Sequence, residues 1–110
     1  MSYPKLVRNP RTPVRVIIEA EDSNEFNERV VLLDEELKCN YQDKGYIKFD
    51  SKKSTPEIMA SLYFDGDILP GAATISAGTA IIFGESRRIA AGTKARNPDG
   101  SVNYTKLDVI

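Results

Sequence analysis

The residues best suited to chemistry in this 110-residue chain are aspartates beside glycines. Asp65 and Asp67 surround Gly66, and Asp99 precedes Gly100. Carboxylates at this spacing could bind calcium or exchange protons, but a calcium site needs about six to eight oxygen ligands, and neither segment supplies them. Asp is also favoured in turns, because its side chain accepts hydrogen bonds from nearby backbone N–H groups. We therefore predict two turns here and no metal site.

Other catalytic patterns are missing from the sequence. The chain contains no histidine, which excludes Ser-His and Cys-His nucleophile pairs and histidine-liganded zinc. Residues 84–87, Gly-Glu-Ser-Arg, lack the second glycine of a nucleophile elbow, and no glycine-rich phosphate loop occurs. We predict a protein that is not an enzyme and uses no cofactor.

Charged residues are unevenly distributed, although the net charge is only −1. Residues 19–36 contain eight acidic side chains and a single base, Arg29. The acidic residues are Glu19, Glu21, Asp22, Glu25, Glu28, Asp34, Glu35 and Glu36. The basic residues cluster later, as Lys44, Lys48, Lys52 and Lys53, and as Arg87, Arg88, Lys94 and Arg96. Such segregation is typical of head-to-tail association, although solvated faces would give the same pattern.

Nucleic-acid binding is the alternative function. Single-strand-binding barrels combine exposed aromatic rings with basic side chains. Here the two sets are mostly separate: Phe64 and Phe83 are predicted core residues, whereas Tyr63 and Tyr104 are predicted to face outward. The small net charge also disfavours a dedicated nucleic-acid binder.

The spacing of apolar residues predicts short strands. Residues 1–13, with Pro4, Pro10 and Pro13, predict an extended arm rather than a packed element. Beyond it, residues 14–110 form one predicted domain. Alternation predicts strands at residues 14–20 and 58–64, a hairpin about Gly84, and a last strand after the Asn97–Gly100 turn. We expect a mostly β fold, a small antiparallel barrel of five to seven strands.

Residues 22–38 leave two predictions open. Phe26, Val30, Leu33 and Leu37 recur at helical spacing, but the Val-Val-Leu-Leu run at 30–33 suits a strand, which we favour.

Residues 44–55 have no apolar periodicity and predict a long mobile loop. The lone Cys39 is predicted to be a buried small hydrophobe. No membrane span or secretory signal is expected, and a reducing cytoplasm fits these features.

Four segments, taken in order, resemble one family of small phage and prophage proteins. They are residues 38–43, 64–68, 82–89 and 94–105, the last with the sequence Lys-Ala-Arg-Asn-Pro-Asp-Gly-Ser-Val-Asn-Tyr-Thr. The family is encoded among the head genes of siphophages that infect Gram-positive bacteria. It is similar to head-closure, or stopper, proteins and minor capsid proteins.

This resemblance implies a β-barrel subunit that forms a homo-oligomeric ring beneath the portal of the virion neck, retains packaged DNA and docks the tail. Its implied partners are further copies of itself, the portal or adaptor, and tail proteins, with non-specific contact to DNA. By position, the loop at residues 44–55 corresponds to the stopper loop that enters the channel, so that its four lysines would face phosphates. The resemblance also implies strand rather than helix for residues 28–41.

Charge segregation leads to a hypothesis about the ring contact. We expect the acidic residues of one subunit to meet the basic segment of its neighbour in a heterologous interface. The residues concerned are Glu19, Glu35 and Glu36 on one side and Arg87, Arg88 and Arg96 on the other. We also expect the N-terminal arm to add contacts on assembly.

Overall fold

The computed structural model describes residues 3–23, 29–44, 59–72, 75 and 77–110. These residues form six antiparallel strands and no helix, which confirms the predicted β-barrel. The strands are β1 (Thr12–Ser23), β2 (Arg29–Asp43), β3 (Ala60–Asp65), β4 (Gly78–Ile82), β5 (Glu85–Arg96) and β6 (Val102–Val109).

The strands close into a barrel in the order β1-β2-β3-β6-β5-β4. Two long strands, β2 and β5, make this closure possible because each pairs with different neighbours along its length. β2 pairs with β1 through residues 29–39 and with β3 through residues 40–43. β5 pairs with β4 through residues 85–88 and with β6 from Ile89 onward. Two four-stranded sheets therefore share β2 and β5.

The barrel core follows the predicted alternation. Val14, Val16 and Ile18 of β1 are buried, and so are Leu62 and Phe64 of β3. Because alternate residues of a strand face opposite sides, Arg15 and Ile17 lie on the outer face of the barrel. The strand preferred at residues 22–38 is confirmed for the part described, since β2 begins at Arg29.

The prediction that Phe83 belongs to the core is wrong. Phe83 and Gly84 form the two-residue turn between β4 and β5, with φ values of 53° and 76°. Positive φ at both central positions is typical of a type I′ hairpin. The Phe83 side chain is 69% exposed and contacts Tyr41 edge to face, with 5.0 Å between ring centroids. Turn geometry therefore places an apolar residue at the surface.

The other predicted features can be compared directly. The turn at residues 97–100 is confirmed, because Gly100 N–H donates to the Asn97 carbonyl at 2.9 Å. Cys39 is buried as predicted, and burial raises the pKa of its thiol to about 11. Residues 3–11, the part of the arm that the structure describes before β1, contain no strand, and Val7 among them is buried.

Candidate functional site

One edge of β2 lacks a backbone partner within the described residues. β2 pairs with β1 along residues 29–39, but β3 reaches only residues 40–43 on its other side. Val30, Val31 and Leu32 lie on this edge and are 41–54% exposed. A β-bulge at Leu32 shifts the register there, because Ile18 pairs with Leu33 whereas Glu19 pairs with Val31. An apolar strand edge with no strand partner among the described residues is a surface suited to association.

The register also shows where the predicted charged residues lie. Directly opposite residues of an antiparallel pair share one face of the sheet. One outer-face row comprises Asp34, Ile17, Thr79 and Arg88. The next row comprises Glu36, Arg15, Ile81 and Ser86. The outer face of the β2-β1-β4-β5 sheet therefore has acidic residues on β2 and basic residues on β1 and β5, Arg15 and Arg88. Three strand spacings, roughly 14 Å, separate β2 from β5.

The acidic residues are not equivalent. Arg15 donates two hydrogen bonds to Asp34, at 2.9 and 3.0 Å, and these bonds hold the pKa of the Asp34 carboxyl below its ordinary value. Glu36 is exposed on the same outer face. Glu35 pairs with Val16 and so lies on the opposite face from Glu36, while Glu19 is half-buried on β1. The sequence analysis treated these acidic residues as one group and did not predict the ion pair between the Arg15 guanidinium and the Asp34 carboxylate.

The basic residues are also divided. Arg88 is exposed on the outer face, whereas Arg87 faces the other way and binds Glu85 at 3.0 Å. Arg96 lies at the far end of β5, where its Nη1 donates to the Gly100 carbonyl at 2.7 Å. Eight residues of strand, roughly 25 Å, separate Arg88 from Arg96. The structure therefore places Arg88 with the sheet that bears Glu36 and separates Arg96 from it.

Lys94 belongs to no exposed basic patch. Its side chain is 3% exposed, and its ammonium lies 2.9 Å from Asp67 Oδ1 and donates to the Leu69 carbonyl at 2.6 Å. Asp67 also accepts from Leu69 N–H at 3.0 Å, so the predicted turn role of Asp67 is accompanied by an ion pair. A bulge at Ala90 turns Lys94 inward, because Ile89 pairs with Val109 but Ala91, not Ala90, pairs with Asp108.

The predicted channel loop leaves the barrel from a closed base. Lys44 N–H donates to the Met59 carbonyl at 3.1 Å, and Asp43 pairs with Ala60 next to it. Lys44 is half-buried at this base. Lys48, Lys52 and Lys53 lie outside the described residues, so their role as a loop facing DNA stays a prediction.

A small aromatic cluster lies on the outer face of β3 and β6. Tyr63 and Tyr104 have ring centroids 5.9 Å apart, and Lys106 Nζ is 6.0 Å from the centre of the Tyr63 ring. Both tyrosines are half-buried. Two carboxylates adjoin the cluster: Asp65 pairs with Tyr104 across the strands, and Asp108 lies 3.8 Å from Lys106.

The described residues offer no group of three or more His, Cys, Asp or Glu side chains placed to hold a metal ion. They also contain no helix long and apolar enough to cross a membrane. No protein-family model, curated protein or solved structure matches this chain.

Proposed function

We propose that this protein is a structural subunit of a phage virion, a head-to-tail connector of the head-closure type. It assembles as a ring beneath the portal, retains packaged DNA and docks the tail; it is not an enzyme. The main support is the arrangement of charge on the β2-β1-β4-β5 sheet, where Glu36 on β2 and Arg88 on β5 lie on one outer face, three strand spacings apart. Opposite charges at two separate places on one rigid body favour a heterologous contact, which closes into a ring when the rotation permits.

The edge of β2 that has no strand partner among the described residues supports the same proposal. Val30, Val31 and Leu32 are exposed on the strand that also bears Glu36. A neighbouring subunit that covers this edge would bury apolar surface and bring its own Arg88 toward Glu36. Hydrophobic burial would then contribute most of the affinity, while the charges select the partner edge and its orientation.

The loop base adds a second element to the proposal. The bond between Lys44 and Met59 ties both ends of residues 45–58 to one end of the barrel. In a ring, residues 45–58 of every subunit would therefore start from the same position relative to the ring axis, as stopper loops require. The family resemblance of residues 38–43, 64–68, 82–89 and 94–105 is the basis for placing this ring in the neck of the virion.

Single-stranded nucleic-acid binding is the second candidate, because Tyr63, Tyr104 and Lys106 together resemble a small stacking platform. Asp65 and Asp108 adjoin it, and their negative charge would repel phosphates. We therefore rank this function below the connector.

Charge reversal tests the ring contact. Glu36→Arg and Arg88→Glu should each weaken assembly, whereas the double variant should restore it, because the attraction is then re-formed with opposite polarity. Glu35→Arg is the matched control, since Glu35 adjoins Glu36 but lies on the other face, and it should disturb assembly less. Analytical ultracentrifugation gives the size of the assembly in each case.

Cryo-electron microscopy of virions from the parent phage or induced prophage tests the location. Density for this barrel between portal and tail would support the connector function. Its absence from the neck, together with salt-dependent binding of single strands that Tyr63→Ala abolishes, would favour the nucleic-acid candidate instead.

A further inference from the structure

The N-terminal arm is bound to the barrel in the manner of a recognised peptide. Leu6 N–H donates to Asn103 Oδ1 at 3.0 Å, and Asn103 Nδ2 donates to the Pro4 carbonyl at 2.8 Å. One side-chain amide thus satisfies a donor and an acceptor two residues apart on the arm, as a neighbouring strand would. Binding through the main chain is how proteins capture extended peptides with limited dependence on sequence.

Two further barrel residues complete what we call the arm site, which comprises Asn40, Asp65 and Asn103. Asp65 lies 3.1 Å from the Lys5 ammonium, and Asn40 Nδ2 donates to the Arg8 carbonyl at 3.3 Å. The three residues come from β2, β3 and β6, so the site exists only on the folded barrel.

The arm site is ordered by contacts within the barrel as well as by the arm. Asn103 Nδ2 also donates to Asn97 Oδ1 at 2.9 Å, and Asn97 in turn donates to the Ser101 hydroxyl at 2.9 Å. These bonds fix which side of the Asn103 amide accepts and which donates. A site oriented in advance loses less conformational entropy when it binds a peptide.

The arm has a candidate hinge at Asn9, which lies between its contacts with the barrel and the start of β1. Of its apolar side chains, Val7 is buried, but Leu6 is 68% exposed. Asn9 adopts φ = 49°, a left-handed conformation uncommon for residues other than glycine, immediately before Pro10. A change of backbone angle at Asn9 would redirect residues 3–8 as a unit while leaving β1 in place.

We infer that the arm site binds the arm of a neighbouring copy in the assembled protein. Exchange of an identical segment between copies preserves every contact of the closed form, so its free-energy cost is small. In a ring, the arm of a neighbour is held near the site at a high effective concentration, as the chain's own arm is. This inference rests on the proposed ring and names the contact that links its subunits.

Cross-linking between full-length chains tests the exchange. In a Cys39→Ala background, one chain receives Lys5→Cys and the other Asp65→Cys, and the two are mixed, assembled and treated with a short bis-maleimide. Exchange predicts a cross-linked heterodimer, with a yield at least ~10-fold above that of Lys5→Cys mixed with Glu85→Cys. Glu85 is a suitable control because it is exposed at the opposite end of β5 from the arm site.

Each result identifies which proposal holds. A chain that carries both Lys5→Cys and Asp65→Cys can form an intrachain or an interchain cross-link. If this chain forms rings but gives only the intrachain product, exchange is overturned and the connector function is left intact. Interchain products from dimers that never form rings would support exchange and contradict the ring. A monomer that gives only the intrachain product would contradict both. Asn103→Ala in the Asp65→Cys chain should reduce the heterodimer yield while leaving the circular-dichroism spectrum unchanged.

Discussion

Lys94 illustrates how single residues stabilise this barrel. A buried ammonium loses its hydration, which is unfavourable unless an opposite charge and hydrogen-bond acceptors replace the water. Asp67 and the Leu69 carbonyl provide that replacement at 2.9 and 2.6 Å. The pair also fixes the segment after β3 against β5, although these elements are distant in sequence.

We predict that Lys94→Met destabilises the protein by about 2 kcal/mol, because the aliphatic volume is kept but the Asp67 carboxylate and the Leu69 carbonyl lose their partner. Asp67 is 26% exposed, so water can partly compensate. Lys106→Met is the matched control, since Lys106 lies 3.8 Å from Asp108 at a more exposed position, and it should cost less than about 1 kcal/mol. Urea denaturation gives both free energies; equal losses would contradict a special role for Lys94.

At the scale of strands, the alternation of apolar and polar residues along the sequence was enough to predict which residues of a strand are buried. Val14, Val16 and Ile18 alternate with residues of the outer face, and all three are buried as expected. Residues 30–33 are apolar throughout, so their pattern alone could not decide between helix and strand. Their exposure on a free strand edge depends on the limited length of β3, which a local pattern does not reveal.

Bulges and tight turns explain most of the remaining differences. The extra residue at Ala90 reverses the faces of β5 beyond that point, so Lys94 turns inward although strict alternation from Ile89 would direct it outward. Phe83 is apolar but occupies a two-residue turn, where its side chain cannot reach the core. The candidate association surface was predicted only as clusters of charge, because the face of Glu35 or Glu36 depends on pairing with β1.

Two glycines at the ends of β4 provide a prediction about the hairpin. Gly84 has φ = 76° and open space around it, so Gly84→Ala should cost only the backbone strain, about 1 kcal/mol. At Gly78 an added Cβ would overlap the Ile17 carbonyl oxygen and approach Ile89 Cδ1 to 3.0 Å. We expect Gly78→Ala to cost more than about 3 kcal/mol, since β1 and β4 must separate. Thermal denaturation compares the two; a larger loss for Gly84→Ala would refute this account.

Considered as a whole molecule, the barrel is closed around its core, and within the described residues one apolar edge of β2 is exposed. Soluble proteins usually protect such edges with charges, prolines or a covering segment. In the proposed ring, the neighbouring subunit provides that cover. The same edge that permits assembly would otherwise promote uncontrolled pairing, so the bulge at Leu32 helps to restrict which strands fit.

We expect Val31→Lys to weaken self-association without unfolding the barrel. Val31 is 54% exposed, so its replacement should change the free energy of unfolding by less than about 0.5 kcal/mol. Loss of its burial at the interface should raise the protein concentration needed for assembly about tenfold. Met59→Lys is the control, because Met59 is 44% exposed but lies beside Lys44, past the opposite end of β2 from Val31. Sedimentation velocity measures association; an equal effect of both variants would argue against the edge.

The hydrogen bond from Lys44 N–H to the Met59 carbonyl also affects which changes of sequence such a protein can tolerate during evolution. It joins the residue before residues 45–58 to the residue after them, so the two ends of that segment meet at one end of the barrel. Doubling the length of a flexible closed loop costs only about 0.6 kcal/mol. Insertions, deletions and recombination in this segment should therefore be tolerated, and descendants could acquire a new specificity there while inheriting the barrel unchanged.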